Sequence, residues 1–167
     1  MTFLRGMAPT DASGYVQMIT KFPGFYDGPT VHIHVIAHVN GSVLPNGTYS
    51  GGAIVNVGYI YFDQSLITEV MRTKPYSENN LTFVTNVDDY MFVDEAKLSD
   101  QVLEYVFLGQ SVKDGIFGWK TFGLDPTASV NVSVASYFQA DGGHTNPDDN
   151  YAALHTPPAS SSAVGGS

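Results

Sequence analysis

The sequence predicts an all-β fold, an antiparallel β-sandwich with one or two short helices. Three observations carry this. Strand-sized apolar segments recur between clusters of Gly, Pro, Asn and Asp. Val31–Val39 alternates between two faces, the period of a half-buried strand. Aromatic residues make up 13% of the 167-residue chain, with ten tyrosines and ten phenylalanines, types that fit a pleated surface.

Taken in order, Gly14–Thr20 alternates toward a first strand. Val31–Val39 follows, with His32, His34, Ile36 and His38 on one face and Val31, Ile33, Val35 and Ala37 on the other. His38 lies further along that face and reads as structural. The Gly, Pro and Asn content of Asn40–Gly51 predicts a loop, and Ala53–Phe62 the next strand. Asp63–Met71 reads as a short helix: Asp63 is a capping type, and Leu66, Ile67 and Val70 form one apolar stripe. Pro75 ends that segment.

Asp88–Ala96 predicts another helical turn or two, with Asp88, Asp89, Asp94 and Glu95 on a solvated loop; the oxygen and glycine spacing of a calcium loop is missing. Val102–Leu108, Gly115–Leu124 and Ala128–Phe138 complete the β pattern, and Trp119 is expected to pack in the core. Residues 1–139 are read as the domain and 140–167 as a polar extension, with His144 and His155 exposed and the Ser/Gly-rich Ala159–Ser167 disordered. There is no internal repeat.

Charge narrows the function classes. Seven basic against 16 acidic residues give a formal net charge of −9, a field that repels nucleic acid and anionic lipid. No apolar run approaches the roughly 20 residues needed to cross a bilayer, and no signal peptide is visible. Asn40-Gly41-Ser42, Asn46-Gly47-Thr48, Asn80-Leu81-Thr82 and Asn131-Val132-Ser133 are glycosylation acceptors by pattern, pointing to a secreted ancestry; without a leader the expectation is otherwise cytoplasmic. The absence of cysteine excludes any thiolate site.

The chemistry concentrates in Phe22-Pro23-Gly24-Phe25-Tyr26-Asp27-Gly28-Pro29-Thr30-Val31-His32-Ile33-His34. Residues i and i+2 of a strand project from one face about 7 Å apart along it. His32 and His34 can therefore hold one metal ion, with the Tyr26 phenolate closing the set. Two nitrogens and one hard oxygen suit non-haem iron better than a structural zinc. The plainer alternative is a pair of hydrogen-bonded, half-buried histidines.

These words carry a resemblance. Phe3-Leu4-Arg5-Gly6, Thr10-Asp11-x-x-Gly14, Pro23-Gly24-x-Tyr26 and His32-Ile33-His34-Val35 follow the order and spacing of the intradiol ring-cleavage dioxygenases, the catechol and protocatechuate dioxygenase family, most nearly its fungal secreted branch. Val57-Gly58-x-x-x-Phe62-Asp63, Leu103-Glu104-Tyr105-Val106 and Asp114-Gly115-Ile116-Phe117-Gly118-Trp119 extend it to about Leu124. The resemblance implies the family's β-sandwich, with the metal between sheet and loops. It also implies a ferric ion, Fe(III), held by Tyr26, His32 and His34, a small aromatic or polyphenolic substrate, and ring opening by dioxygen.

The chain departs from the family at three places. The family's first tyrosine ligand lies upstream of the Phe-Leu-Arg-Gly word and has no counterpart here, so the sandwich is expected to lack the N-terminal segment. The chain is then a piece of a longer protein or the product of a gene that lost its first part. An arginine that orients the substrate is replaced by Pro29, which has neither charge nor side-chain donor. The glutamine after Val-Gly is replaced by Tyr59, which would act as a substitute phenolate or as an aromatic wall of the pocket.

Three functions follow. One is ring cleavage through Tyr26, His32, His34 and Tyr59. The second is a repurposed enzyme guiding a non-oxidative cyclisation, cycloaddition, hydration or isomerisation of a polyphenol or quinone-methide-like natural product. The third is a non-catalytic binding protein. Sheet edges left uncovered would favour a homodimer.

Overall fold

Strand β1 (His32–Val43) and strand β2 (Tyr49–Tyr61) form the longest feature of the chain, an antiparallel hairpin running in register from His32 opposite Tyr61 to Val43 opposite Tyr49. The computed structural model describes residues 4–132, 136–139 and 141–147. The hairpin turns over Leu44–Thr48: the Leu44 N–H donates to the Thr48 carbonyl at 2.7 Å, and the Thr48 hydroxyl to Asn46 Oδ1 at 2.7 Å. Gly47 supplies the positive φ of 77° that the turn needs.

The loop expected over Asn40–Gly51 is mostly ladder, with Gly41 opposite Gly51 and Ser42 opposite Ser50. The glycines that suggested a loop allow close approach within the sheet. A Cβ on Gly41 would overlap the Tyr49 ring, and one on Gly52 the Val39 carbonyl. Register shifts once: Ala37 faces Asn56 but His38 faces Ile54, leaving Val55 as an extra, buried residue on β2.

Beyond β2, Asp63 caps helix α1 (Gln64–Met71), accepting from the Leu66 N–H at 2.9 Å. Leu66, Ile67 and Val70 are buried as the stripe predicts. With Val31 and Phe62 they form the core, and Phe22, Phe25, Ile33, Met71, Tyr76 and Phe83 are among the side chains packed around it. The chain passes through 3-10 turns at Tyr76–Glu78 and Asn86–Asp88 into helix α2 (Tyr90–Glu95), which Asp89 caps.

Strand β3 (Glu104–Phe107) pairs with β4 (Ile116–Trp119), joined through a 3-10 turn at Val112–Asp114. The N–H of Tyr61 donates to the Gln101 carbonyl at 3.0 Å and that of Leu103 to the Tyr61 carbonyl at 2.8 Å, tying the end of β2 to the segment that leads into β3.

Leu4–Val132 forms one compact unit, and the described residues after it belong to another. In the second, strand β5 (Ser136–Gln139) pairs with strand β6 (Gly142–Thr145). His144, expected to be exposed, is half-buried, with Nε2 2.7 Å from Asp141 Oδ1. His155 and Ala159–Ser167 lie outside the described residues.

The described residues are thus mostly strands with two short helices, the strands paired in three two-stranded sheets. The segment between β2 and β3 is helical and 3-10 in character, so each strand pairs with its sequence neighbour. Gly14–Thr20 forms no strand: no strand among the described residues pairs with it, and Ile19 is 97% exposed. The expected strand over Ala128–Phe138 is irregular through Val132 and is strand only from Ser136; residues 133–135 lie outside the described set.

Two expectations for single residues are corrected. Trp119 is 42% exposed, because it shares the outward face of the β3–β4 hairpin with Phe117, the ring centroids 5.9 Å apart. Asp89, expected on a solvated loop, is buried because two backbone N–H groups converge on it. No described helix is long and apolar enough to cross a membrane.

Candidate metal centre

Strand pairing gathers four rings on one face of the hairpin. His32 is opposite Tyr61 and His34 opposite Tyr59, and the i, i+2 period points all four the same way. The Nε2 atoms of His32 and His34 lie 3.0 Å apart. Tyr59 packs on both imidazoles, with centroids 4.9 Å from His34 and 5.6 Å from His32. Tyr61 stands 5.6 Å from His32 and 5.9 Å from Tyr59, and Phe92 of α2 meets Tyr61 edge-on at 5.0 Å. Tyr61 is fully buried, while His34 and Tyr26 are exposed. The site is therefore anchored in the fold and open on one side.

Burial pushes the Tyr59 phenol above its ordinary pKa, and the charges of Glu95, Tyr26 and Tyr90 push the same way. These groups come from three regions of the chain, so Tyr26 and the α2 residues Tyr90 and Glu95 act electrostatically on one phenol. Tyr26 is 49% exposed, with its ring edge beside Gly28. His38 is removed from this group and packs on Tyr49 at 5.1 Å, in keeping with a structural role.

Orientation of His32 is set from behind. Its Nδ1 lies 2.6 Å from the Thr30 carbonyl oxygen, which only accepts, so Nδ1 carries the hydrogen. In the neutral ring Nε2 then presents its lone pair toward His34. Imidazoles that bind metals show this arrangement, with one nitrogen fixed by a carbonyl and the other on the ion. Two nitrogens 3.0 Å apart subtend about 90° at an ion bonded to each at about 2.1 Å. The pair thus fits two adjacent positions of a first-row metal, and the phenols around it are hard anionic donors once ionised. Among the described residues no group of three or more His, Cys, Asp or Glu gathers; imidazole and phenol define this site.

Sequence reasoning missed Thr30, Asn86 and Asp89, which stand behind His32, and assigned Glu95 to solvent. Asp89 alone carried a signal, as a capping type directly before the apolar Tyr90-Met91-Phe92-Val93 run. Pro29 occupies the turn before β1 and brings no charge to the site.

Two solved dioxygenases resemble part of this chain in fold. An intradiol ring-cleavage dioxygenase from Tetranychus urticae superposes with a TM-score of 0.53 at 26% identity, over 67% of this chain and 48% of that one. A second dioxygenase gives a TM-score of 0.58 at 26% identity, over 73% of this chain and 53% of that one. The chain thus spans about half the length of these neighbours, and its fold resembles that of an intradiol dioxygenase. No protein-family profile matches the chain. No curated protein matches it.

Proposed function

We propose that this chain is an intradiol-dioxygenase-like protein that opens a catechol-type aromatic ring with dioxygen at a non-haem ferric centre. Tyr26, His32 and His34 are its metal-holding residues, and Tyr59 lines the reaction face. The carrying observation is the convergence of the His32 and His34 Nε2 atoms at 3.0 Å, with one tautomer fixed by the Thr30 carbonyl. The likeness to the Tetranychus enzyme supports the same reading.

A ferric ion at this position would draw electron density from a chelated catechol and so open the ring to dioxygen. The chain's own residues bind and orient. His32 and His34 bring their Nε2 atoms within 3.0 Å of each other, His34 as the donor in the metal-free pair, and an ion would take the place of that shared hydrogen. Tyr26, half-exposed, is placed to exchange its proton with solvent. Tyr59 keeps its proton to higher pH than an ordinary phenol and gives a planar substrate an aromatic wall. Pro29 brings no charge of its own, which favours small aromatic or polyphenolic substrates over multiply charged ones.

The test is iron content, the visible absorption of a phenolate bound to ferric iron, and oxygen uptake with catechol. Wild-type protein should bind iron, show the band and consume oxygen; the His32→Ala/His34→Ala double variant should lose all three. A wild-type protein that takes up no iron and no oxygen with any catechol overturns the proposal.

One observation favours a second reading. Tyr59 packs against both imidazoles where the family resemblance leads one to expect a glutamine, and Pro29 stands where it leads one to expect an arginine. A less charged, more aromatic pocket suits a non-oxidative rearrangement of a neutral polyphenol, with the imidazoles as acid and base. Product formation that persists without oxygen separates this from ring cleavage.

A further inference from the structure

We propose that the buried cluster Thr30–Asn86–Asp89 is the positioning apparatus of the metal centre, selecting the His32 tautomer from outside the site. This rests on the reading of His32 as a ligand. Thr30, Asn86 and Asp89 are 1%, 5% and 3% exposed, the three buried polar side chains among the described residues. Asp89 Oδ2 accepts the Thr30 N–H at 2.8 Å, and Asp89 Oδ1 accepts the Met91 N–H at 2.8 Å. The Thr30 hydroxyl donates to Asn86 Oδ1 at 2.8 Å. Asn86 in turn donates from Nδ2 to the Phe62 carbonyl at 2.9 Å, and its own N–H reaches Gln64 Oε1 at 2.8 Å.

The residue at position 30 is therefore held through its amide and its side chain at once. Both anchors lie more than 50 positions away, at separations of 59 and 56 residues. What this fixes is the direction of the Thr30 carbonyl, whose oxygen takes the hydrogen of His32 Nδ1. Buried polar groups are costly unless each is matched, so a fully matched set accepts few alternative geometries. Backbone hydrogen bonding alone would close the strand end. The hydroxyl-to-Asn86 bond is additional, and it restrains the one residue whose carbonyl faces the ligand ring.

Thr30→Val removes the hydroxyl and keeps the shape and the amide bond to Asp89; Thr30→Ser keeps the hydroxyl. Nitrogen-15 NMR of the metal-free 167-residue chain reads the His32 tautomer directly, and Zn2+ titration reads affinity without turnover. Wild type and Thr30→Ser should hold His32 with the hydrogen on Nδ1. Thr30→Val, folded by circular dichroism, should populate both tautomers and bind Zn2+ about 10- to 100-fold more weakly, the range for loss of an outer partner of a ligand. A mixed or Nε2–H tautomer in wild type overturns the proposal whether or not the variants fold. An unchanged tautomer and affinity in folded Thr30→Val overturns it too. If wild type binds no Zn2+ or iron but shows the fixed tautomer lost in Thr30→Val, the metal reading fails while the positioning role stands.

Discussion

The Thr30 carbonyl shows how much of a site can depend on an atom that touches no substrate. Its direction settles which nitrogen of His32 is bare, and through the 3.0 Å approach to His34 it settles what the pair can hold. Residue environments elsewhere follow from the same accounting of donors and acceptors. Asp89 is buried because Thr30 and Met91 bring it two N–H groups, and a matched carboxylate is tolerated where an unmatched one is not. Trp119 is outward because strand alternation gives the inward positions of its hairpin to Tyr105 and Ile116, which pack on the core. It is the sole tryptophan, so its fluorescence should be quenched readily by acrylamide in the folded protein, nearly as well as in urea. Strong protection from quencher would contradict its placement.

Among the elements, α1 was the most legible. Asp63 as cap and the Leu66, Ile67, Val70 stripe are local signals, and the structure bears out both. Asp63→Ala should cost about 1 kcal/mol in urea unfolding, as loss of a helix cap does. Ile67→Ala, in the dry core, should cost about 2–5 kcal/mol. The His32/His34 face was equally legible, because a period of two needs only one strand to be read. Less legible were features that depend on distant partners. Gly14–Thr20 alternates like a strand, but no strand among the described residues pairs with it. Gly41 and Gly52 carry loop composition into a ladder, because their use is close packing against Tyr49 and Val39. The sandwich was inferred from turn-bounded segments, alternation and the family resemblance, and none of these says which strand edges meet. The Thr30–Asn86–Asp89 set joins residues 59 and 56 positions apart, beyond the range of any local pattern.

For the whole molecule, buried phenols and hydrogen-bonded carboxylates set the pH window of stability. Burial raises the Tyr76 phenol, whose O–H donates to the Phe22 carbonyl at 2.8 Å, and burial, followed by the hydrogen bond and charge of Asp63, raises Tyr105. The folded state therefore keeps these protons to higher pH than the unfolded chain, where phenols titrate near about 10. Their contribution is complete below that pH and is lost as pH rises through the folded values. Asp114 and Asp125 are lowered, by the Ser111 N–H and hydroxyl in one case and the Thr127 hydroxyl and N–H in the other. Their contribution is present above the unfolded value of about 3.9 and is lost as pH falls through the folded values. Urea midpoints should thus be flat from pH 6 to 9 and fall on both sides (about these limits); Tyr76→Phe should soften the alkaline fall and leave the acid one unchanged. A midpoint still rising at pH 11 (roughly one unit past the reference phenol value) would contradict this. The tether from Asp89 to Thr30 carries one more consequence, for anyone wishing to borrow this chemistry. A synthetic peptide spanning only the long hairpin would contain both imidazoles and their aromatic companions, yet its ring hydrogens would be free to exchange places. Transplanting the centre to a new scaffold therefore means carrying over the remote 86–89 stretch as well.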